Sequence, residues 1–206
     1  KLTRSGQFTV KLMYIDVINS TVIPSSKHVW KVKVPFKIKV FMWFVHKQVI
    51  LTKDNLVKRN WTGSTRCSFC DHDETIKHLF FQCPLVRILW RTVQIAFNIT
   101  PPNSVSTLFG TWPVGIESET ARHIRVGVCA LLWAIWNCGN DLAFNRTTTI
   151  HFLQILFRAT ALIRMWSLLT PTEARECLVT GSVRWEMVAR DIFNGFGWRS
   201  CNRICD

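Results

Sequence analysis

Three thiols and one imidazole fall within seventeen residues, in the stretch Cys67-Ser-Phe-Cys70-Asp-His-Asp-Glu-Thr-Ile-Lys-His78-Leu-Phe-Phe-Gln-Cys83. The spacing is C-x2-C-x7-H-x4-C, and it constrains the fold more than any other feature of the chain. Zinc takes four soft or borderline donors at tetrahedral corners, and a Cys3His set supplies them. The tight C-x2-C turn can aim two sulfurs at one ion. A helical turn across His78 and Cys83 can supply the other two donors. The predicted ligands are therefore Cys67, Cys70, His78 and Cys83 around one Zn2+. Four protein ligands leave no open position for water, so the ion is expected to be structural. His72 is a rival imidazole, but it lies only two residues past Cys70, where closing a four-ligand shell would be strained.

Two plainer readings compete with a metal. Free cysteines often pack as small hydrophobes, and cysteines can pair as disulfides. The other five, Cys129, Cys138, Cys177, Cys201 and Cys205, show no regular framework. The sequence opens without a recognisable signal peptide. An intracellular chain, nuclear or cytoplasmic and not secreted, is expected, and disulfides are disfavoured there. It begins at Lys1 instead of Met, so it is expected to be a piece of something longer.

The charge around this loop is uneven. Of the net +13, residues 27–66 carry +9, ten Lys and Arg against the single acid Asp54. Residues 67–98 sum to zero and residues 99–206 to +2. Beyond Lys77 every positive charge is an arginine. A basic block leading directly into a metal loop is the footprint of phosphate-backbone contact; an ordinary solvated face is the blander reading. Candidate phosphate contacts are Lys31, Lys33, Lys37, Lys39, Lys58, Arg59 and Arg66. Trp61 or Phe69 could stack on unpaired bases, or simply pack against the metal loop.

A length of 206 residues predicts one or two domains, and 48% hydrophobic content allows a real core. Ten Trp make that core ring-rich. The longest charge-free apolar run, near Val126 to Asn137, is well short of the ~20 residues of a membrane span, so none is predicted. A short extended piece, Phe8 to Lys11, and a brief helix through Tyr14 and Ile18 open the chain. Residues 31–40 alternate as a strand would, but Pro35 in their middle argues for a helix start. A helix over 35–49 follows, with Phe36, Val40 and Phe44, and Phe41 and Val45, on one face. Thr52 can cap a short helix ending near Asn60. Asp73, Glu74 and Thr75 suit the start of a helix carrying His78, and Pro84 starts another that runs to about Phe97.

Pro101-Pro102-Asn-Ser reads as a linker, dividing 1–100, with the metal loop, from a helical region 101–206 packed on it. There Ser118 can cap a largely apolar, central helix over 119–145, Thr149 can cap a helix ended by Pro171, and Trp185 to Phe193 forms one more. The predicted fold class is mainly α: a small zinc-knuckle-like Cys3His module between helices, followed by a helical C-terminal half.

These pieces resemble the zinc-binding domain downstream of reverse transcriptase in plant non-LTR (LINE-type) retrotransposons. Gly6-Gln-Phe-Thr-Val-Lys11 with Tyr14 is similar to that family's opening motif. Trp30-Lys-Val-Lys-Val-Pro35-Phe-Lys-Ile-Lys-Val-Phe41-Met-Trp43 is similar to its most recognisable run. Thr52-Lys-Asp-Asn-Leu56, the Cys67, Cys70, His78, Cys83 set, and His78-Leu-Phe-Phe-Gln-Cys83-Pro with Trp90 follow in the family's order. The resemblance covers residues 6–98 and, more loosely, the helix Trp133–Phe144. There Gly139 stands where the family tends to show Arg in Trp-x-x-Arg-Asn.

The resemblance implies a nucleic-acid-binding accessory to reverse transcription or integration, acting on RNA or DNA, and implies no catalysis in this chain. The upstream reverse transcriptase region is a further implied partner; neither a membrane nor a small-molecule substrate is expected. No Tyr-x-Asp-Asp pair occurs, nor a carboxylate cluster of the kind that holds two metals. Asp71, Asp73 and Glu74 sit inside the metal loop, where capping or solvation is the expected role. A Cys–His nucleophile pair can be drawn, but metal spacing outweighs it. A protein-interaction module, or a decayed retroelement fragment without present activity, are the alternatives.

Overall fold

The computed structural model describes residues 27–110, 112 and 115–196. The extended piece at Phe8–Lys11 and the helix through Tyr14 and Ile18 lie outside the described residues. Helices dominate: α1 (Lys27–Lys31), α2 (Phe36–His46), α3 (Lys53–Val57), a π-helical turn (His78–Gln82), α4 (Pro84–Phe97), α5 (Val105–Phe109), α6 (Ser118–Ala143), α7 (Phe152–Ser167) and α8 (Thr172–Phe196). Among the described residues there is no strand; a lone antiparallel bridge joins Arg66 to Asp73.

Of the two signals in residues 31–40, the helix start is realised and the strand is not. Val32 and Val34 are buried while Lys31 and Lys33 face out, but Lys31 ends α1 and residues 32–34 bend, Val34 N–H donating to Val32 O at 3.0 Å. Pro35 then ends the alternation, its carbonyl accepting from the Ile38 and Lys39 amides at 2.9 and 3.3 Å. Of the expected apolar face of α2, Phe41 and Val45 are buried, but Phe36, Val40 and Phe44 are not. Ile38, Phe41, Met42 and Val45 are inside, whereas Phe36 is 60% exposed. The helix stops at His46, short of 49, because Gln48 turns left-handed at φ 57°. Gln48 N–H then donates to Val45 and Val49 N–H to Phe44, which satisfies the last carbonyls. α3 ends the same way: Asn60, at φ 63°, donates to Val57 and Trp61 N–H to Leu56.

In the second half, the expected central helix is present as α6, but Ser118 is its first residue and not its cap. Glu117 holds the N-cap position without a side-chain bond, and Val128, Leu131, Leu132 and Ile135 are buried against α2, α7 and α8. An 18-residue window within its 26 residues reaches mean hydropathy 1.2, which suits a membrane span by length and composition. In the fold its apolar faces meet protein. The start of α7 is held by His151 instead of Thr149, the His151 amide donating to Gln154 Oε1 at 3.0 Å. α5 follows directly on the Pro101–Ser104 segment, capped by Ser104 Oγ accepting from the Thr107 amide.

α8 is far longer than Trp185–Phe193. Its inner stripe is Leu178, Ser182, Trp185 and Ala189, all buried. Two of those four are small or polar, so the helical period is present while the apolar signal is thin. Trp185 Nε1 donates to the buried Thr92 Oγ1 at 2.7 Å, tying α8 to α4 across 93 residues of sequence. The buried core runs without a break from Val29 to Ala189.

Candidate metal centre

The metal loop is built by a short hairpin and a widened helical turn. Thr65 to Cys67 run antiparallel to His72 to Glu74. Cys67 N–H donates to His72 O at 2.7 Å and Glu74 N–H to Thr65 O at 2.9 Å. Thr65 Oγ1 donates to the Asp73 carboxylate at 2.7 Å, closing the hairpin from outside. At its tip the Phe69 amide points at Cys67 Sγ, 3.5 Å away. The hairpin is anchored to α3: the Lys53 amide donates to Glu74 Oε1 at 3.2 Å, and the Lys53 ammonium donates to Arg66 O. Glu74 is thus buried as the acceptor for the first turn of α3. The helix carrying His78 starts on Thr75 alone, whose Oγ1 accepts from the His78 amide at 3.0 Å.

His78 and Cys83 are five residues apart, which an α-helix would place about 140° from each other around its axis. The chain resolves this with a π turn, in which the Cys83 amide donates to His78 O at 2.8 Å. Pro84 explains the switch. A residue before proline is driven out of the α region, and Cys83 sits at φ −53°, ψ 131°. The last amide of the turn therefore reaches back five residues, and the Cys83 sulfur joins the His78 imidazole in one donor cluster.

The outcome is convergence. One donor atom each from Cys67, Cys70, His78 and Cys83 all lie within 4.8 Å of one another. Cys70 Sγ is 3.2 Å from His78 Nε2 and 3.9 Å from Cys83 Sγ. A tetrahedral zinc with ordinary bond lengths needs sulfurs about 3.8 Å apart and sulfur and nitrogen about 3.6 Å apart. These two separations lie within a few tenths of an ångström of those values, and the whole set is gathered closely enough to share one ion. His72 stays beside the set: its ring stacks on His78 with centroids 5.5 Å apart, and its Nδ1 is 3.7 Å from Cys70 Sγ.

The thiols answer to one another electrostatically. The hydrogen bond from Cys83, and then the neighbouring His78, bring the Cys67 thiol down to about 4. The Cys83 thiol is pushed well up by its hydrogen bond to Cys67, by burial and by the adjacent sulfurs. Burial also raises Cys70. One negative charge is comfortable here and three are not, so a dication is the natural counter-charge. Cys129 and Cys138 behave differently: they are buried on α6 with thiols raised by burial to about 12 and about 11. They are the packed core cysteines, and no disulfide joins the described cysteines.

The candidate phosphate contacts separate into free and engaged groups. Lys31, Lys33 and Arg59 are exposed. Lys37 Nζ lies 5.9 Å above the Trp133 ring, and Lys39 Nζ donates to Trp30 O at 2.9 Å. Lys58 pairs with Asp54 at 3.5 Å, and the Arg66 guanidinium donates to Asp71 O. Trp61 keeps 39% of its surface exposed while its ring covers Gly63, where an added Cβ would fall 1.9 Å from it. Phe69 packs toward α6, its ring 3.6 Å from where a Cβ on Gly139 would stand. Sequence reasoning missed the Lys53–Glu74 anchor; its signal was the position of Thr52-Lys-Asp-Asn-Leu56 directly before the loop.

Residues 8–90 match the family described as zinc-binding in reverse transcriptase. Over 97 residues, 44% of this chain, the sequence is 28% identical to an Arabidopsis thaliana protein that bears the name "Putative ribonuclease H protein". The match spans 16% of that relative's length. No solved structure matches the chain. Residues 8–90 are thus similar to that zinc-binding family, and the four converging donors lie inside the matched stretch.

Proposed function

We propose that this chain is a zinc-stabilised, non-catalytic accessory module that binds RNA or DNA during reverse transcription or integration, inside the cell and away from membranes. Cys67, Cys70, His78 and Cys83 hold one structural zinc. The single observation that carries the reading is the mutual approach of those four donor atoms within 4.8 Å. A closed Cys3His shell keeps no position for substrate water, so its contribution is shape. The loop acids are occupied with structure, Asp73 by Thr65 and Glu74 by the first turn of α3, which supports a non-catalytic role. Ribonuclease chemistry of the sort named for the relative would fall to other segments of a longer protein.

Exposed Lys31, Lys33, Lys58 and Arg59 meet phosphates, with Lys37, Lys39 and Arg66 at the edges of the same footprint and Trp61 offering its open surface to a base. Titration of labelled single-stranded RNA and DNA into zinc-loaded protein tests this. Affinity is expected to fall steeply between about 50 and 200 mM salt; a flat salt response, or no binding at the low end, contradicts it.

A second reading, docking onto the upstream polymerase region, is favoured by one observation. Phe144, Met165, Leu168 and Leu169 are each more than half exposed. Tryptophan is absent from that set: Trp133 and Trp136 are half-buried and Trp166 is buried. Co-purification with the upstream region that survives nuclease treatment, and is lost in Leu168→Ser/Leu169→Ser, would favour docking.

A further inference from the structure

Residues 67–98 are neutral by count, yet folding sorts their charges. The acids Asp71, Asp73 and Glu74 all lie in the hairpin. The cations Lys77, Arg87 and Arg91 all line two adjoining depressions between the end of the metal loop, α4 and the Asn103–Ser104 turn. These depressions, of about 590 and 620 Å³, share Phe81, Arg87 and Asn103 in their walls, so they form one groove. No acidic side chain lines either. Among the described residues Lys77 and Arg87 have no ion-pair partner, and Arg91 reaches only the Gln94 amide oxygen at 3.4 Å. A concave, acid-free channel holding three uncompensated cations and amide groups is how non-specific single-strand binders follow a phosphodiester backbone.

We propose that this groove is a second phosphate track, guiding a single strand of RNA or DNA past the metal loop along α4. It rests on the nucleic-acid reading above and adds a site outside the 27–66 basic block. The test is fluorescence anisotropy of labelled oligouridylate and oligothymidylate with zinc-loaded intact chain, as a function of salt. Three variants are compared with the parent: Lys77→Ala/Arg87→Ala/Arg91→Ala, Lys31→Ala/Lys33→Ala, and Arg87→Lys/Arg91→Lys as a charge-preserving control. Each single-strand phosphate contact contributes about 0.7 to the slope of log affinity against log salt. Losing three should lower the slope by about 2, with the Lys control near the parent. An unchanged slope in the triple variant, while Lys31→Ala/Lys33→Ala lowers it, overturns the groove and leaves the broader reading standing. A parent chain that retains no oligonucleotide overturns both. Displacement of the oligonucleotide from the groove by polyglutamate, with parent slopes in all variants, would make an acidic protein the occupant and also overturn the proposal.

Discussion

His72 and Glu74 flank Asp73, and their different fates show how little sequence distance decides in this loop. Glu74 is buried and receives the Lys53 amide, and burial, then the nearby Cys67 charge, raises its carboxyl above the usual range. Replacing it by Ala removes an acceptor from the first turn of α3. Glu74→Ala should cost about 1–2 kcal/mol, read as a lower denaturant midpoint in zinc-loaded protein, with Glu74→Gln recovering most of it. Equal midpoints for all three would show that the anchor is incidental. His72 is exposed, stacks on His78 and stays outside the four-donor cluster, its Nδ1 3.7 Å from Cys70 Sγ, so His72→Ala should keep bound zinc at parent level while His78→Ala loses it. Equal loss from both would place His72 in the shell.

At the level of elements, what the sequence exposed and what it hid have distinct physical causes. The four donors were legible because donor chemistry and spacing are local. The π turn was not, because it arises from Pro84 acting on Cys83 rather than from any residue inside the turn. α8 was seen only around Trp185 because Ser182 and Ala189 fill inner positions where large apolar residues were sought. The end of α2 was misplaced because Gln48, not glycine, takes the left-handed position at φ 57°. That position carries backbone strain an L side chain dislikes. Gln48→Gly should therefore stabilise the fold by about 0.5–1 kcal/mol despite glycine's greater freedom when unfolded. The check is a raised guanidinium midpoint at unchanged slope; a lowered midpoint would mean the Gln48 side chain contributes more than its backbone costs.

Across the whole molecule, one core joins the metal loop to the terminal helices, and its long-range links are few enough to test. Trp185 is 2% exposed and fixes α8 to α4 through Thr92. Trp185→Ala should cost about 3–5 kcal/mol in a single cooperative unfolding transition; a loss below about 1 kcal/mol would show α8 to be loosely attached. Acid should act on the same region. The hydrogen bond from Arg158 holds the Asp141 carboxyl below its usual range, across α6 and α7. Burial pulls Glu186 up, but hydrogen bonds from Thr160 and Arg164 outweigh it and leave it lowered. A depressed carboxyl stabilises the fold above its unfolded value, about 4, and that contribution disappears as pH falls through the folded value. Both pairs are partly exposed, so each is worth about 0–1 kcal/mol. Between about pH 5 and pH 3 the parent should lose more stability than Asp141→Asn/Glu186→Gln; identical acid profiles would exclude these pairs as the cause.

All of this depends on the loop being closed by metal. Structural zinc contributes on the order of 10 kcal/mol to folds of this kind, so its presence is the claim to test first. Zinc content of the purified chain should be measured with and without Cys83→Ser, a fully buried position beside Cys67 and Cys70. The account predicts one zinc per parent chain and none in the variant. Equal zinc in both would contradict it.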